Sequence, residues 1–322
     1  MKITIATPMY GGMSKSVYVA CLNELMSKLG EAGHSVRHVS ITNESLITRA
    51  RNTLAHMFLK SEDDALLFID ADHGWISDDI VKMVNSGKDL IGAIYPMKSI
   101  NWDNVHAAAI SGRPASELSL YSGNFAINFL PENQEFKGDE PFKVRDIGTG
   151  MMFIRRIVFD TIAPLCKKYK NNSPSADIAM GEEMIEFFPT MITDEPESIL
   201  LSEDYAFCHL WRQTGHNVYG APWVRITHAG EYNFGGFFLK TLEIQNQMAV
   251  AQSGVNPTET LDANGQHVVN TPSHPIDVTL SQADSLQSLD AIFDGSESES
   301  GLDSDPQQSV ETKPQKTSRK KS

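Results

Sequence analysis

Cysteine is scarce in this chain: three residues, Cys21, Cys166 and Cys208, far apart and without a C-x-x-C spacing. That excludes a cysteine zinc knuckle and a disulfide scaffold, and it points to a reducing compartment. Basic residues are outnumbered, 27 Lys+Arg against 41 Asp+Glu, for a net charge of -14. A surface of that sign repels phosphate backbones and anionic lipid, so nucleic-acid or membrane binding driven by overall charge is disfavoured. No apolar run approaches the roughly 18 residues that span a bilayer. The start, MKITIATPMYGG, carries one Lys and too short an apolar run for a signal peptide, and a cytoplasmic protein is expected. Two phosphate-binding signatures are missing as well. No G-x-G-x-x-G follows the first strand and no G-x-x-x-x-G-K-[ST] occurs anywhere, which counts against a dinucleotide fold and a P-loop.

What is present is an ordinary globular composition, 41% hydrophobic and 21% charged. It changes near residue 250. Residues 251–322 hold 11 acidic and 5 basic residues, runs such as GSESESGLDSDP, and a basic end, KPQKTSRKKS. Such a segment buries too little apolar surface to offset the entropy of ordering, so a domain over 1–250 and a disordered acidic tail over 251–322 are expected. Within the domain, Lys2–Thr7 reads as a strand and Val17, Cys21, Leu25 and Leu29 as a helix face stopped near Gly33. Val36–Ile41, Ala65–Ile69 and Leu90–Ile94 read as further strands, with helices over Leu46–Leu59 and Ser77–Val84 between them. The uninterrupted apolar run ALLFI marks a strand buried on both faces. This alternation predicts an α/β fold, a single Rossmann-like domain with a mostly parallel central sheet flanked by helices. Later come a hairpin across 118–130, a strand over Gly150–Ile154 and a helix over Ser202–Thr214.

Ligands of such sheets bind at the carboxyl ends of the strands. There stands Asp70-Ala71-Asp72, directly after ALLFI. In an extended segment residues i and i+2 face the same side, so the two carboxylates would share one space and favour a hard divalent cation, Mg²⁺ or Mn²⁺. The spacing alone is weak: Asp303-Ser304-Asp305 has it too, in the acidic tail. Ala50-Arg51-Asn52 lies seventeen residues upstream, and Gly148-Thr149-Gly150, Ser202-Glu203-Asp204 and His228 follow in order.

This series resembles the GT-A fold nucleotide-sugar glycosyltransferases of family 2, over roughly residues 1–240. The matching elements are a first strand ending in Thr7-Pro8-Met9-Tyr10, an "ARN" helix start, a hydrophobic strand into D-x-D, a glycine-containing loop, an x-E-D helix start and a C-terminal histidine. The resemblance implies a donor half over 1–96 and an acceptor half over 97–250. It implies a nucleoside diphosphate sugar as donor, a UDP-sugar above others, and an acceptor hydroxyl of unknown identity. Thr7, Pro8, Tyr10, Arg51, Asn52, Asp70, Gly148, Thr149 and Gly150 would meet the donor. Asp72 would bind Mn²⁺ or Mg²⁺ directly, Asp70 would reach the ribose or a water on the metal, and His228 would be a third ligand. Asp204 would be the general base of an inverting transfer. Ser202-Glu203-Asp204 also reads as an ordinary N-capped helix start, which would hold that base in place.

The chain departs from the family in three places. The Q-x-x-R-W motif of processive synthases is missing, for Trp211-Arg212 lies too near Asp204 and lacks the Gln. With no membrane-spanning run either, this argues for transfer of single sugars. Asp72 is followed by His73-Gly74-Trp75, where many relatives carry a further acidic residue. The remaining histidines have no ligand spacing, and Asn43-Glu44-Ser45 reads only as a glycosylation sequon, irrelevant in a cytoplasmic chain. A nucleotidyltransferase and a catalytically inactive GT-A binding module are the competing readings. A hydroxymethylated DNA base as acceptor is admitted by the basic end of the tail and disfavoured by the acidic domain.

Overall fold

The computed structural model describes residues 1–131, 137–172, 178–194, 198–230, 233–235, 238–239, 260–261 and 267–268. The chain divides into two units, 1–257 and 258–322. In the second, Thr260–Leu261 pairs antiparallel with His267–Val268, and the rest of the expected tail lies outside the described residues. Among the described residues no helix is long and apolar enough to cross a membrane.

The first unit has the expected α/β architecture. Strand β1 (Lys2–Met9) runs into a 3-10 turn at Tyr10–Gly12, whose two glycines take positive φ, the conformation that glycine adopts without strain. Helix α1 (Ser16–Glu31), β2 (Ser35–Thr42), α2 (Ile47–Leu59), β3 (Ala65–Ile69), a short β4 (His73–Trp75), α3 (Ser77–Val84) and β5 (Leu90–Ala93) follow. Seven strands form the central sheet, in the order β2, β1, β3, Met151–Arg155, β5, Val218–Ala221, Phe142–Val144. Five run in one direction; Met151–Arg155 and Phe142–Val144 run against them.

Alternation along β3 explains why its sequence is apolar throughout. Leu66 and Phe68 enter a core with Leu54 and Phe58 of α2 and with Phe159 and Phe207, whereas Ala65, Leu67 and Ile69 face Leu25, Leu29, Ile80 and Met83 of α1 and α3. Both faces of the strand are covered, and each large side chain so buried contributes about 1.5–3 kcal/mol. Two more helices close the first of these cores: α5 (Arg156–Ile162) and α6 (Glu203–Gln213), with Trp211 fully enclosed. Between β5 and the antiparallel Met151–Arg155 lie β6 (Pro96–Ile100), α4 (Trp102–Ile110) and β7 (Gly123–Phe125).

The hairpin expected across 118–130 does not form. Ala115–Tyr121 is a 3-10 helix, β7 pairs with β6, and Ile127–Asn128 pairs with Asp146–Ile147. These are pairings of two or three residues with distant partners, and they leave no local alternation to read. Side-chain chemistry fixes them instead: Asn101 caps α4 by accepting the Asn104 N–H at 3.0 Å and donates to Asn124 on β7 at 2.9 Å.

The antiparallel strand Met151–Arg155 brings the Gly148-Thr149-Gly150 loop to the same edge as the carboxyl ends of β1, β3 and β5. Neither glycine of this loop has a positive φ; both are needed for space. A Cβ on Gly148 would lie 2.0 Å from the Tyr95 hydroxyl, and one on Gly150 would lie 2.5 Å from His73 Cε1 and 2.8 Å from Tyr95 Cζ. Tyr95 and His73 are themselves buried, so neither can yield easily. Gly148→Ala is therefore expected to destabilise the domain by about 1–3 kcal/mol, the usual cost of overpacking. Urea unfolding followed by circular dichroism reads this as a lower midpoint; an unchanged midpoint would show that the Tyr95 wall gives way.

Candidate functional site

Four segments meet at the carboxyl edge of the sheet: the turn after β1, Asp70–Asp72 after β3, Tyr95 after β5, and Gly148–Gly150. The Gly150 carbonyl joins two of them. It accepts the Asp70 N–H at 2.8 Å and the His73 Nδ1–H at 3.0 Å. The Tyr95 hydroxyl receives the Gly150 N–H at 3.3 Å. Burial raises the Tyr95 phenol far above its ordinary range, so it stays protonated.

The strand does not run on extended through Asp70-Ala71-Asp72. The chain turns after Ile69, and the two carboxylates go to different partners. Asp70 meets Arg51, whose Nη2 lies 3.2 and 3.3 Å from its two oxygens. On its other side Arg51 Nε reaches Glu203 at 3.4 Å. Arg51 projects from α2 into the protein with its side chain 4% exposed, over the ring of Phe68. Burial opposes its charge, but Asp70 and Glu203 outweigh that and hold it protonated. Burial, then the neighbouring Asp204 charge, pushes the Glu203 carboxyl upward against the pull of Arg51.

Asp204 turns another way. Its Oδ1 accepts the Ser202 hydroxyl and, at 2.8 Å, the Tyr205 N–H. Ser202 thus gives its hydroxyl to Asp204 rather than capping a backbone N–H of α6. The capping expected from the sequence is replaced by a hydrogen bond that orients the carboxylate.

Asp72 lies in a second corner. Strand β4 pairs antiparallel with Ile226–Ala229, which in turn pairs with Asn233–Gly235, and in this small sheet His73 and His228 are direct partners. Directly opposed residues on one face of an antiparallel pair have their Cβ atoms about 5 Å apart. The two imidazoles accordingly lie against each other, tilted by 53° with centroids 4.5 Å apart. His228 Nδ1 donates to the Pro96 carbonyl at 2.9 Å, which leaves Nε2 facing Asp72 Oδ2 at 3.4 Å. Asp72 Oδ2 also receives Lys98 Nζ at 2.5 Å. Burial works to raise the Asp72 carboxyl; His228 and Lys98 outweigh it and hold it well below the usual carboxylate range. Burial pushes the His73 imidazole down to about 4. Asp72, His73 and His228 offer ligand atoms within 4.8 Å of one another. Asp70, engaged by Arg51, is not in that group. The oxygen and imidazole nitrogen of Asp72 and His228 suit a divalent cation, because a carbonyl bond on Nδ1 fixes the tautomer that presents Nε2.

Beside this corner opens a cleft of about 420 Å³, walled by the turn after β1 and the segment before α2, with Asp70–Asp72 as its floor. Pro8 and Tyr10 stand on one wall, and the Tyr10 ring is 74% exposed. Lys15, on the same wall, donates its backbone N–H to Ala71 O at 2.9 Å. Glu44 lines the opposite wall, its carboxylate gripped by Arg49 Nε at 2.5 Å and Nη2 at 2.8 Å and by the Leu46 N–H. Those bonds lower the Glu44 carboxyl.

Of the residues expected to meet the donor, Pro8, Tyr10 and Asp70 line the cleft, whereas Thr7, Arg51, Asn52, Gly148, Thr149 and Gly150 are buried and do not. Thr7 is fully buried, its hydroxyl between Tyr18 and His38. Asn52 is buried and accepts the Phe188 N–H at 2.9 Å. Thr149 is buried, and its hydroxyl finds no partner among the described residues. Sequence reasoning missed Lys98, Tyr95 and Glu44. Lys98 and Tyr95 lie where the pattern loosens, and Glu44 is hidden inside a sequon.

No protein-family model matches the chain, and no curated protein matches its sequence. Among solved structures it is similar to A197 from STIV at 14% identity, over 73% of this chain and 94% of that one, with a TM-score of 0.40. It is also similar to GalNAc-T7 with UDP, GalNAc and Mn²⁺ at 10% identity, over 76% and 47%, with a TM-score of 0.35. A third likeness is to S. aureus TarS 1-349 at 14% identity, over 78% and 65%, with a TM-score of 0.31. The chain spans less than half the length of the GalNAc-T7 structure.

The structural role of Asn52 is testable. Asn52→Ala leaves the buried Phe188 N–H unpaired, at a cost of about 1–3 kcal/mol. The variant should unfold at lower urea concentration while the folded protein keeps wild-type affinity for nucleoside diphosphate by calorimetry. Lost affinity at unchanged stability would make Asn52 a ligand contact instead.

Proposed function

We propose that the chain is a metal-dependent glycosyltransferase of GT-A type that moves a sugar from a nucleoside diphosphate sugar, a UDP-sugar by preference, to an acceptor hydroxyl with inversion. One observation carries the reading. Asp72, on the floor of a nucleotide-sized cleft at the carboxyl edge of a mostly parallel sheet, faces His228 Nε2 in a corner that suits a divalent cation, and helix α6 begins with an oriented carboxylate. The motif series in the sequence supports it independently.

In this reading Pro8 and the exposed Tyr10 ring receive the base, and the fixed Glu44 carboxylate accepts a hydrogen from the nucleoside. Lys15 is at hand for the diphosphate. Arg51 has no exposed face to offer; it holds Asp70 still and draws the α6 start towards the donor through Glu203. Mn²⁺ or Mg²⁺ held by Asp72 and His228 would supply Lewis-acid neutralisation of the leaving diphosphate. Asp204 takes the proton of the acceptor hydroxyl as that oxygen attacks C1 and the C1–O bond to the diphosphate breaks. Both of its hydrogen bonds fall on Oδ1, which leaves Oδ2 for the acceptor. Residues 1–96 would then form the donor half and 97–250 the acceptor half, with 251–322 outside the catalytic unit.

Asp204→Asn keeps the side chain's size and its acceptor oxygen but cannot take a proton. It should retain donor affinity while slowing transfer by roughly 10²–10⁴-fold. Product analysis with a panel of nucleotide sugars checks this: nucleoside diphosphate should appear as the sugar moves, and the product's anomeric configuration should be opposite to the donor's. Wild-type turnover by Asp204→Asn would remove its role as base. Release of pyrophosphate would replace the reading with nucleotidyl transfer.

The tail gives a further check. A chain ending at residue 250 should fold and release nucleoside diphosphate at a rate like that of the full chain, since the removed segment is too poor in apolar residues to supply part of the core. Failure of the shortened chain to fold would move the domain boundary.

A further inference from the structure

We propose that His73 is a third protein ligand of the cation held by Asp72 and His228, making a two-histidine, one-carboxylate site that prefers Mn²⁺, Co²⁺ or Zn²⁺ to Mg²⁺. This deepens the function proposed above and rests on it.

His73 is fully buried, and its Nδ1 is committed to a carbonyl, that of Gly150, at 3.0 Å. A carbonyl only accepts, so Nδ1 carries the hydrogen, and in the neutral ring Nε2 is a bare lone pair. That Nε2 has no partner among the described residues. Buried polar atoms are nearly always satisfied, so an orphan of this kind calls for an explanation. The residue stands beside other ligand-bearing side chains. His73 offers a ring nitrogen within 4.8 Å of the ligand atoms of Asp72 and His228, and with Nδ1 spent on Gly150 the nitrogen left to bind a cation is Nε2.

His228 repeats the arrangement. Its Nδ1 is bound to the Pro96 carbonyl, and its Nε2 looks at Asp72 Oδ2 across 3.4 Å. In the neutral ring this sets one lone pair against a carboxylate; a proton on Nε2 makes the contact favourable, and a divalent cation between the two atoms would take that proton's place. Each imidazole thus keeps Nε2 uncommitted near one carboxylate and is fixed from behind by a main-chain carbonyl, which is how metal-binding histidines are commonly held. Lys98 Nζ now supplies the positive charge to Asp72. Its side chain is 41% exposed and can swing out when a cation enters.

The small sheet dictates the pairing. Antiparallel register sets His73 opposite His228, and the absence of a Cβ on Gly150 leaves room for the His73 ring. Two nitrogen donors shift preference from Mg²⁺, which favours an all-oxygen shell, to first-row transition ions that take imidazole readily.

The test is titration of the metal-stripped full chain with Co²⁺, Mn²⁺, Zn²⁺ and Mg²⁺, followed by calorimetry and, for Co²⁺, by visible absorption. His73→Asn is the informative variant, because its amide N–H can still reach Gly150 O while the nitrogen lone pair is gone. Circular dichroism verifies its fold. It should bind Co²⁺ at least about tenfold more weakly, with an altered visible spectrum, and the wild type should bind Mn²⁺ at least about tenfold more tightly than Mg²⁺. Wild-type Co²⁺ affinity and spectrum in folded His73→Asn would overturn the inference. Asp72→Ala and His228→Ala separate the two levels. If they abolish binding where His73→Asn does not, the Asp72–His228 corner and the proposed function stand while His73 is an ordinary core histidine. If no cation binds the wild type, both fail. Pulsed EPR of the Mn²⁺-loaded wild type needs no variant: two coordinated imidazoles support the site, and one overturns it.

Discussion

A single buried cation, Arg51, ties together the parts of the molecule that the proposed chemistry needs. Its guanidinium leaves α2 and links Asp70 at the end of β3 to Glu203 at the start of α6, segments 133 residues apart in the chain (203 − 70 = 133). A charge with 4% exposure survives only because both carboxylates meet it. Removing one partner of such a pair costs about 3–5 kcal/mol, mostly through the charge left behind. The consequence is functional as well as structural. Asp70 is held away from the cation corner, and Glu203 is held by Arg51, while the adjacent Asp204 on the same helix start is oriented separately by Ser202 and the Tyr205 N–H.

The second constraint is the Gly148–Gly150 loop. Its carbonyl at Gly150 fixes both the Asp70 backbone and the His73 ring, and its missing side chains admit Tyr95 and His73. In the sequence the glycines resemble the glycine-containing loop of the GT-A enzymes, expected to meet the donor. In the structure they are a packing device that sets where the end of β3 turns. That turn is what sends Asp70 and Asp72 in different directions, one to Arg51 and the other to His228 and Lys98.

Much of the framework was legible from the chain alone, because the core strands and helices declare themselves locally. ALLFI reads as a strand buried on both faces, and the four-residue spacing of Val17, Cys21, Leu25 and Leu29 reads as a helix face. Short elements did not declare themselves. The β6–β7 ladder, the three residues of β4 and the pairing of Ile127–Asn128 with Asp146–Ile147 are set by distant partners and side-chain hydrogen bonds. The site follows the same division. Asp72 and His228 were visible as motif positions, and the structure brings them together. Asn52 and Thr7 share the motifs but spend their polar groups inside the protein, on the Phe188 N–H and on Tyr18 and His38. Lys98 could not be found by pattern, because the packing of β6 beside Ile226–Ala229, tied by His228 to the Pro96 carbonyl, carries it to Asp72. His73 was visible as a departure from the expected acidic residue, and its meaning comes from its register opposite His228.

The central claim is that the Asp72–His228 corner holds the cation that serves a bound diphosphate. An anomalous-difference map from a crystal of the full chain grown with Mn²⁺ and UDP tests it most directly. The account predicts one manganese peak in contact with Asp72 Oδ2, His228 Nε2 and the diphosphate, with Lys98 Nζ displaced from the carboxylate. UDP bound in the cleft with no manganese there and Lys98 still on Asp72 would contradict it.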